Sequence, residues 1–401
     1  MAPVLSVLAY AFALLPATFA HPGHDLAEEA SERADFIKRT PNSVRSCASQ
    51  LARRGHLAAA LTRRQHMAHK ARTKRGLTSP LVRRDFAAYN TSHASTSGVS
   101  YGDDETLLFS DDSTCILQPE VTQGPYYVDG ELIRSNIVDG EEGIPLYLDI
   151  QLVDTSTCEP VSAMYMDLWH CNSTGVYSGV VASGNGDESD TTNLDNTALR
   201  GIQQTDINGV AQFESVFPGH YTGRSVNILL CRTSPLRSLT TSRATHIHIL
   251  AHNANTSTIR TNGTLLGSNA TTHATHVGQI FFDQALITEA DTIAPYSTNT
   301  QTITLNSEDS ILSEEAADMD PFVEYVLLGE DLSDGIMAWI SIGIDPTADQ
   351  EITSAATVYS DGGVANENSQ IGGAPGGQGN GTMPSGSGSP PSGAVPSSTA
   401  A

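Results

Sequence analysis

Two histidines separated by a single residue stand in the run Arg243-Ala244-Thr245-His246-Ile247-His248-Ile249. The β-favouring residues around them read as a strand. Side chains on a strand alternate between faces, so His246 and His248 project to one side while Ile247 and Ile249 can enter a core. Two neutral imidazoles side by side on a rigid strand make half of a transition-metal site. An isolated pair of this kind reads equally well as solvent-facing or hydrogen-bonded histidines. The remaining donors must therefore come from other segments.

The elements that would position such a site follow from patterning. Residues 1–20 are apolar, uncharged and end with Thr18 and Ala20 as a small-residue cleavage signature, which reads as a secretory signal. Residues 21–84 hold 14 of the chain's 21 basic residues and 5 of its 45 acidic ones, leaving 7 basic against 40 acidic, a formal −33, in the rest. A basic leader beside an acidic body points to mutual attraction, as between a propeptide and its domain. Within it, Ser49–Arg64 has helix-forming composition, and Lys74-Arg75 and Arg83-Arg84 look like processing sites. Nucleic-acid binding by the basic run is disfavoured if the chain is exported.

Residues 85–361 read as one domain of short strands: Tyr147–Val153, Met164–His170, Ala211–Phe217, Thr245–Ala251, Gly278–Phe282, Val326–Leu328 and Ile336–Ile344. Gly, Asn, Asp and Pro punctuate them, so the expected fold is mainly β, a β-sandwich core with a helical N-terminal leader. A short acidic helix is expected within 300–320. The Gly/Ser/Pro-rich segment 362–401 cannot bury enough apolar surface to order itself, and is expected to be a disordered C-terminal tail. Glycosylation sequons at Asn90, Asn172, Asn255, Asn262, Asn269 and Asn380 fit an extracellular protein. A disulfide is expected among Cys115, Cys158 and Cys171, its pairing left open.

Two segments upstream of the histidine pair matter most: Asp167-Leu168-Trp169-His170-Cys171-Asn172-Ser173-Thr174-Gly175-Val176-Tyr177-Ser178 and Phe217-Pro218-Gly219-His220-Tyr221-Thr222-Gly223-Arg224. With them the sequence resembles the intradiol ring-cleaving dioxygenases, and most closely a secreted fungal branch of that family. The family pattern D-x-W-x-x-N-x-x-G-x-Y falls on Asp167 to Tyr177, P-G-x-Y on Pro218 to Tyr221, and R-x-x-H-I-H on Arg243 to His248. Gly124-Pro125-Tyr126-Tyr127, Arg200-Gly201 with Thr205-Asp206, and Gly278-Gln279-Ile280-Phe281-Phe282 follow the family in the same order.

The resemblance implies Fe(3+) held by Tyr177, Tyr221, His246 and His248, with Arg243 and Gln279 as catalytic residues. The donor types suit a hard ferric ion, since anionic phenolate oxygen matches it better than thiolate. Each tyrosine must give up a proton of pKa about 10, a shift that a bound cation supplies. In the family's arrangement Tyr221 and His248 would be axial, and Tyr177 and His246 equatorial. A catechol-type diol would displace Tyr221, and O2 would open the bond between the two hydroxyl-bearing carbons to a muconate-type diacid. Arg243 would stabilise the electron-rich ring, and Gln279 would hydrogen-bond an intermediate. The implied partners are a small aromatic diol and O2, with no nucleic acid and no membrane for the mature form. The competing readings are a glycosylated β-sandwich binding wall polysaccharide or metal without turnover, and a cupin-like ferrous dioxygenase, which would need a carboxylate ligand that these motifs lack.

Residues 225–243 read as a translated intron. They carry three arginines and no acid inside an acidic body, and their removal joins Arg224 to Ala244 in a continuous PGHYTGRATHIHI. The competing reading is a genuine loop, whose closure costs little chain entropy.

Overall fold

The computed structural model describes residues 44–79, 81, 115–117 and 124–366, except 183, 223–224, 227–238, 241–242, 268–271, 310–311, 314–315 and 317–319. The signal segment 1–20, the sequons at Asn90, Asn269 and Asn380, the Arg83-Arg84 pair, most of 225–243 and the tail after residue 366 lie outside the described residues.

Nine strands position the site: β1 (Cys115–Leu117), β2 (Pro145–Asp154), β3 (Tyr165–Trp169), β4 (Arg200–Gln204), β5 (Val210–Val216), β6 (His246–His252), β7 (His276–Phe281), β8 (Glu324–Leu327) and β9 (Ile336–Ile344). The first sheet has the order β1-β9-β2-β5, with β8 also paired to β9; the second has the order β7-β6-β3-β4. β1, β9 and β2 run parallel, and the other pairs are antiparallel. Alternation explains the packing. Leu146, Leu148, Ile150 and Leu152 of β2 and Ile336, Ala338, Ile340 and Ile342 of β9 meet Met166, Leu168, Ile247, Ile249 and Ile280 from the second sheet in one buried cluster. Each fully buried Leu or Ile contributes about 1.5–3 kcal/mol, so this interface fixes the two sheets. The fold is mainly β, as its patterning implied, and Ile336–Ile344 has the bounds read from sequence.

The opposite face of the first sheet is covered by the leader, in two helices: α1 (Val44–Arg53) and α2 (His56–Arg75). The helical run is divided at Gly55, whose φ of 80° suits a residue without Cβ. Met67, Ala68 and Ala71 of α2 pack on Tyr147, Val326, Met337 and Trp339, which alternate outward from β2, β8 and β9, and on Leu328 just after β8. Arg63 forks onto the buried Asp149 at 2.6 and 2.9 Å. Arg64 lies 5.1 Å over the Trp339 ring, and Lys74 pairs with Glu214 at 2.6 Å. The basic leader thus meets the acidic body as a third layer.

Two details depart from the sequence reading. The disulfide is Cys47–Cys158, joining leader to body rather than two body cysteines. The reason is that α1 crosses the end of β2, where Cys47, Leu51, Val153 and Cys158 form one buried cluster. Cys171 remains a buried thiol donating to the Gly219 carbonyl at 3.2 Å, its pKa pushed by burial up to about 12. The body also runs past residue 361, because Gly362–Ala365 pairs with Ala356–Tyr359. The acidic segment near 300–320 holds a 3-10 turn, Asn306–Glu308, and among its described residues Leu312, Ser313 and Ala316 are α-helical, in keeping with the short helix expected there.

Candidate metal centre

β6 is the middle of its sheet. His248 stands in register with Trp169 of β3 on one side and Gln279 of β7 on the other. Ile247 and Ile249 enter the inter-sheet core, so His246 and His248 occupy the outer face. There they are covered by loops rather than by solvent, at 1% and 2% exposure.

Local turn chemistry brings the tyrosines to the same face. After β3, the Asn172 side-chain carbonyl accepts the N–H groups of Thr174 and Val176 at 3.1 and 3.0 Å, closing an Asx turn. Asn185 then brackets Tyr177, accepting its N–H at 2.7 Å and donating to its carbonyl at 2.8 Å. The Tyr221 loop is tied to this turn through Gly219 N–H, which donates to Asn172 O at 3.2 Å. The neighbouring His220 ring points away, held between Asp291 and the Gln301 carbonyl at 3.0 Å each.

Tyr177, Tyr221, His246 and His248 form a closed circuit of rings. Centroid separations are 5.3 Å for Tyr177–Tyr221, 5.8 Å for Tyr221–His246, 4.6 Å for His246–His248 and 6.1 Å for His248–Tyr177. His246 Nδ1 lies 2.6 Å from the Ala244 carbonyl. A carbonyl only accepts, so Nδ1 carries the proton and Nε2 offers its lone pair. That Nε2 faces His248 Nε2 at 3.0 Å. Tyr177 is wholly buried, and its hydroxyl has no hydrogen-bond partner of normal geometry. Burial drives both phenols well above the ordinary tyrosine value, with the Arg243 guanidinium opposing the rise. Burial and Arg243 together drive His246 well below the ordinary histidine value.

These observations fit a ferric ion. Two imidazole Nε2 atoms 3.0 Å apart beside two buried phenols are what a chelating set presents, and a high positive charge would stabilise the phenolates that burial disfavours. Among the described residues, no group of three or more His, Cys, Asp or Glu is arranged to hold a metal. A metal here has to draw on the tyrosines.

The surrounding residues fix this set. The Trp169 ring stacks on His248 at 4.8 Å with 2° between planes. Gly124 has φ +75°, and a Cβ there would lie 2.9 Å from His248 Cε1, so only glycine lets this backbone pass. Tyr126 packs 4.7 Å from Tyr177. Arg200 ties three segments together, donating to Tyr126 O, Ser178 O and Glu131 at 2.7, 2.9 and 2.9 Å. Arg243 donates through Nη2 to Gln279 Oε1 and through Nε to Asp309 Oδ2 at 3.0 Å. All six residues singled out from sequence therefore meet in one region. Asp309 was missed, since nothing in its acidic surroundings distinguishes it. Trp169 and Gly124 lay inside the motifs but gave no sign of touching His248.

Residues 121–304 match the family model described as Dioxygenase. A search of curated proteins gave no match. Among solved structures, an intradiol ring-cleavage dioxygenase from Tetranychus urticae is 28% identical, covering 58% of this chain and 96% of its own, with a TM-score of 0.43. The catechol 1,2-dioxygenase of Pseudomonas arvilla C-1 is 18% identical over 58% of this chain and 63% of its own, with a TM-score of 0.32. The hydroxyquinol 1,2-dioxygenase of Pseudomonas putida DLL-E4 is 16% identical over 58% and 68%, with a TM-score of 0.33.

Proposed function

We propose that the chain is an intradiol ring-cleavage dioxygenase, an enzyme that uses non-haem iron and O2 on aromatic diols, with Fe(3+) held by Tyr177, Tyr221, His246 and His248. The observation that carries this reading is the circuit of two phenols and two imidazoles, closed although Tyr177 and His248 are 71 residues apart in sequence. Bound ferric iron would supply Lewis acidity toward the diol and the electronic coupling that lets its ring react with O2.

The chain's own residues do the rest. Tyr221, slightly more open than Tyr177 at 5% against 0% exposure, is the phenol placed to receive at Oη one of the two protons a diol sheds on binding. Arg243 brings a fixed positive charge beside both tyrosines, where it favours their anionic forms and the electron-rich ring of the substrate. Gln279 holds one arm of that guanidinium. The near-complete burial of all four donors keeps bulk water out, which strengthens each of these charges. In the net reaction the bond between the two hydroxyl-bearing carbons breaks and both oxygen atoms of O2 enter the product, a muconate-type diacid.

We further propose that the protein is exported, with residues 1–20 removed, and that it belongs to a secreted fungal branch of the family. The support is the apolar N-terminus, the sequons and the leader disulfide, which persists in oxidising compartments. Residues 225–243 are proposed as a translated intron. Ser225–Val226 pairs with Leu239–Thr240, so the excursion leaves and returns at one place, and its removal would put Arg224 next to Ala244. Sequencing of mature transcripts tests this, and messages that all retain these codons would overturn it.

Oxygen uptake by the purified protein with catechol, hydroxyquinol and larger lignin-type diols tests the activity. The expectation is one O2 consumed per ring-opened diacid, with both atoms of labelled O2 recovered in it. A diol that is consumed with release of hydrogen peroxide and no ring-opened product would contradict the reading.

A further inference from the structure

Arg243 is 3% exposed and Asp309 is 0% exposed, and they meet far from each other in sequence. One carboxylate oxygen of Asp309 accepts both Arg243 Nε–H at 3.0 Å and Ala244 N–H at 2.8 Å. Its other oxygen accepts Leu312 N–H at 3.2 Å, which anchors the aspartate in its own turn. Gln279 takes the Nη2 edge of the same guanidinium, and Gln279 is the register partner of His248. A planar guanidinium gripped along two edges is restrained from rotating, and these two acceptors help to set the direction of its charge. Asp309 reaches further than the arginine. By holding Ala244 N–H it anchors the residue that offers its carbonyl to His246 Nδ1. Asp309 lies outside residues 121–304, the span that matches the family model.

We propose that Asp309 is the positioning residue of this centre: it orients the Arg243 guanidinium toward the tyrosines and holds the Ala244–His246 backbone in register. It touches neither substrate nor metal, and acts through Arg243 and Ala244. The inference rests on the functional reading above for its kinetic consequences, but the Arg243–Asp309 coupling stands apart from it. The reading does not depend on whether residues 225–243 are retained, because a chain joining Arg224 to Ala244 keeps an arginine directly before Ala244.

The test is a double-mutant cycle on the full chain with Arg243→Ala, Asp309→Ala and the double variant, together with Asp309→Asn. Asp309→Asn removes the charge and keeps one side-chain oxygen for Arg243 Nε–H and Ala244 N–H, giving up the acceptor for Leu312 N–H. Urea midpoints read the coupling without any need for activity. Asp309→Ala leaves a buried cation without its carboxylate and lowers the midpoint, and removing Arg243 as well should recover part of that loss. In the iron-loaded enzyme, Asp309→Asn should keep iron near one per chain. Its kcat should fall at least tenfold while KM for the diol moves less than threefold. The double alanine variant should be no slower than Arg243→Ala alone. Effects on kcat that multiply in the double variant, or wild-type kcat in Asp309→Asn, would overturn the proposal. A wild-type protein that takes up no iron would instead sink the functional reading, and the urea cycle would still judge the pair.

Discussion

Removing the Cys47–Cys158 link by replacing both cysteines with serine puts the docked leader to its most quantitative test. The bridge spans 111 residues. Restricting an unfolded chain over a loop of that size contributes about 4.7 kcal/mol at 25 °C, which corresponds to a fall in Tm of about 10 °C for a domain of this size. The helices have other holds: the apolar contact of α2 with Trp339, Met337 and Tyr147, and the Arg63 fork on Asp149. The double-serine variant should therefore fold with the leader still docked, but melt earlier. Proteolysis gives a second readout. Lys74-Arg75 closes α2, with Lys74 engaged by Glu214, so a dibasic-specific protease should cut after Arg84. On a denaturing gel the leader should then stay with the body without reductant and separate with it. A Tm within about 2 °C of wild type, or a leader released without reductant, would refute the reasoning.

Three further outcomes follow from single residues. Burial pushes the Asp149 carboxyl up, but the Arg63 hydrogen bond and charge, Arg64 and Gln212 more than offset it, and its pKa lies below the ordinary value. Such a depressed group stabilises above the unfolded pKa of about 3.9, and the benefit is lost as pH falls through the lower folded value. Acid titration of Trp fluorescence should thus show a leader-release step only below about pH 4, and Asp149→Asn should remove that step. Gly124→Ala forces a Cβ against His248 at a positive φ, so bound iron and kcat/KM should both fall about tenfold or more; unchanged iron content would contradict the close approach. Peptide mapping of exported protein should find glycans on the exposed Asn255 and Asn262 but not on half-buried Asn172, whose side chain closes the Tyr177 turn.

The strands were legible because period-two alternation is a local signal, and the six candidate residues, which the fold brings together, were picked out by short motifs that resemble a family. His246 and His248 share a face for the same reason that Ile247 and Ile249 share the other. What the sequence concealed depends on contacts between distant segments. Cys47 pairs with Cys158 only because α1 crosses the end of β2, and no spacing rule foretells that. Asp309 is one acid among many until the fold sets it against Arg243. Gly124 shows its purpose only when His248 is seen beside it. The boundary at residue 361 was misplaced for a related reason. Gly362–Ala365 has a composition that argues against order, yet a neighbouring strand edge recruits it.

The central claim is that two tyrosinates and two histidines bind ferric iron, and the visible absorption spectrum of the iron-loaded protein tests it most directly. Wild-type protein should show a broad tyrosinate-to-iron charge-transfer band, with iron near one per chain. Tyr177→Phe and Tyr221→Phe should each weaken and shift that band. An iron-loaded wild type without the band, or one whose band is unchanged when Tyr177 is replaced, would contradict the account.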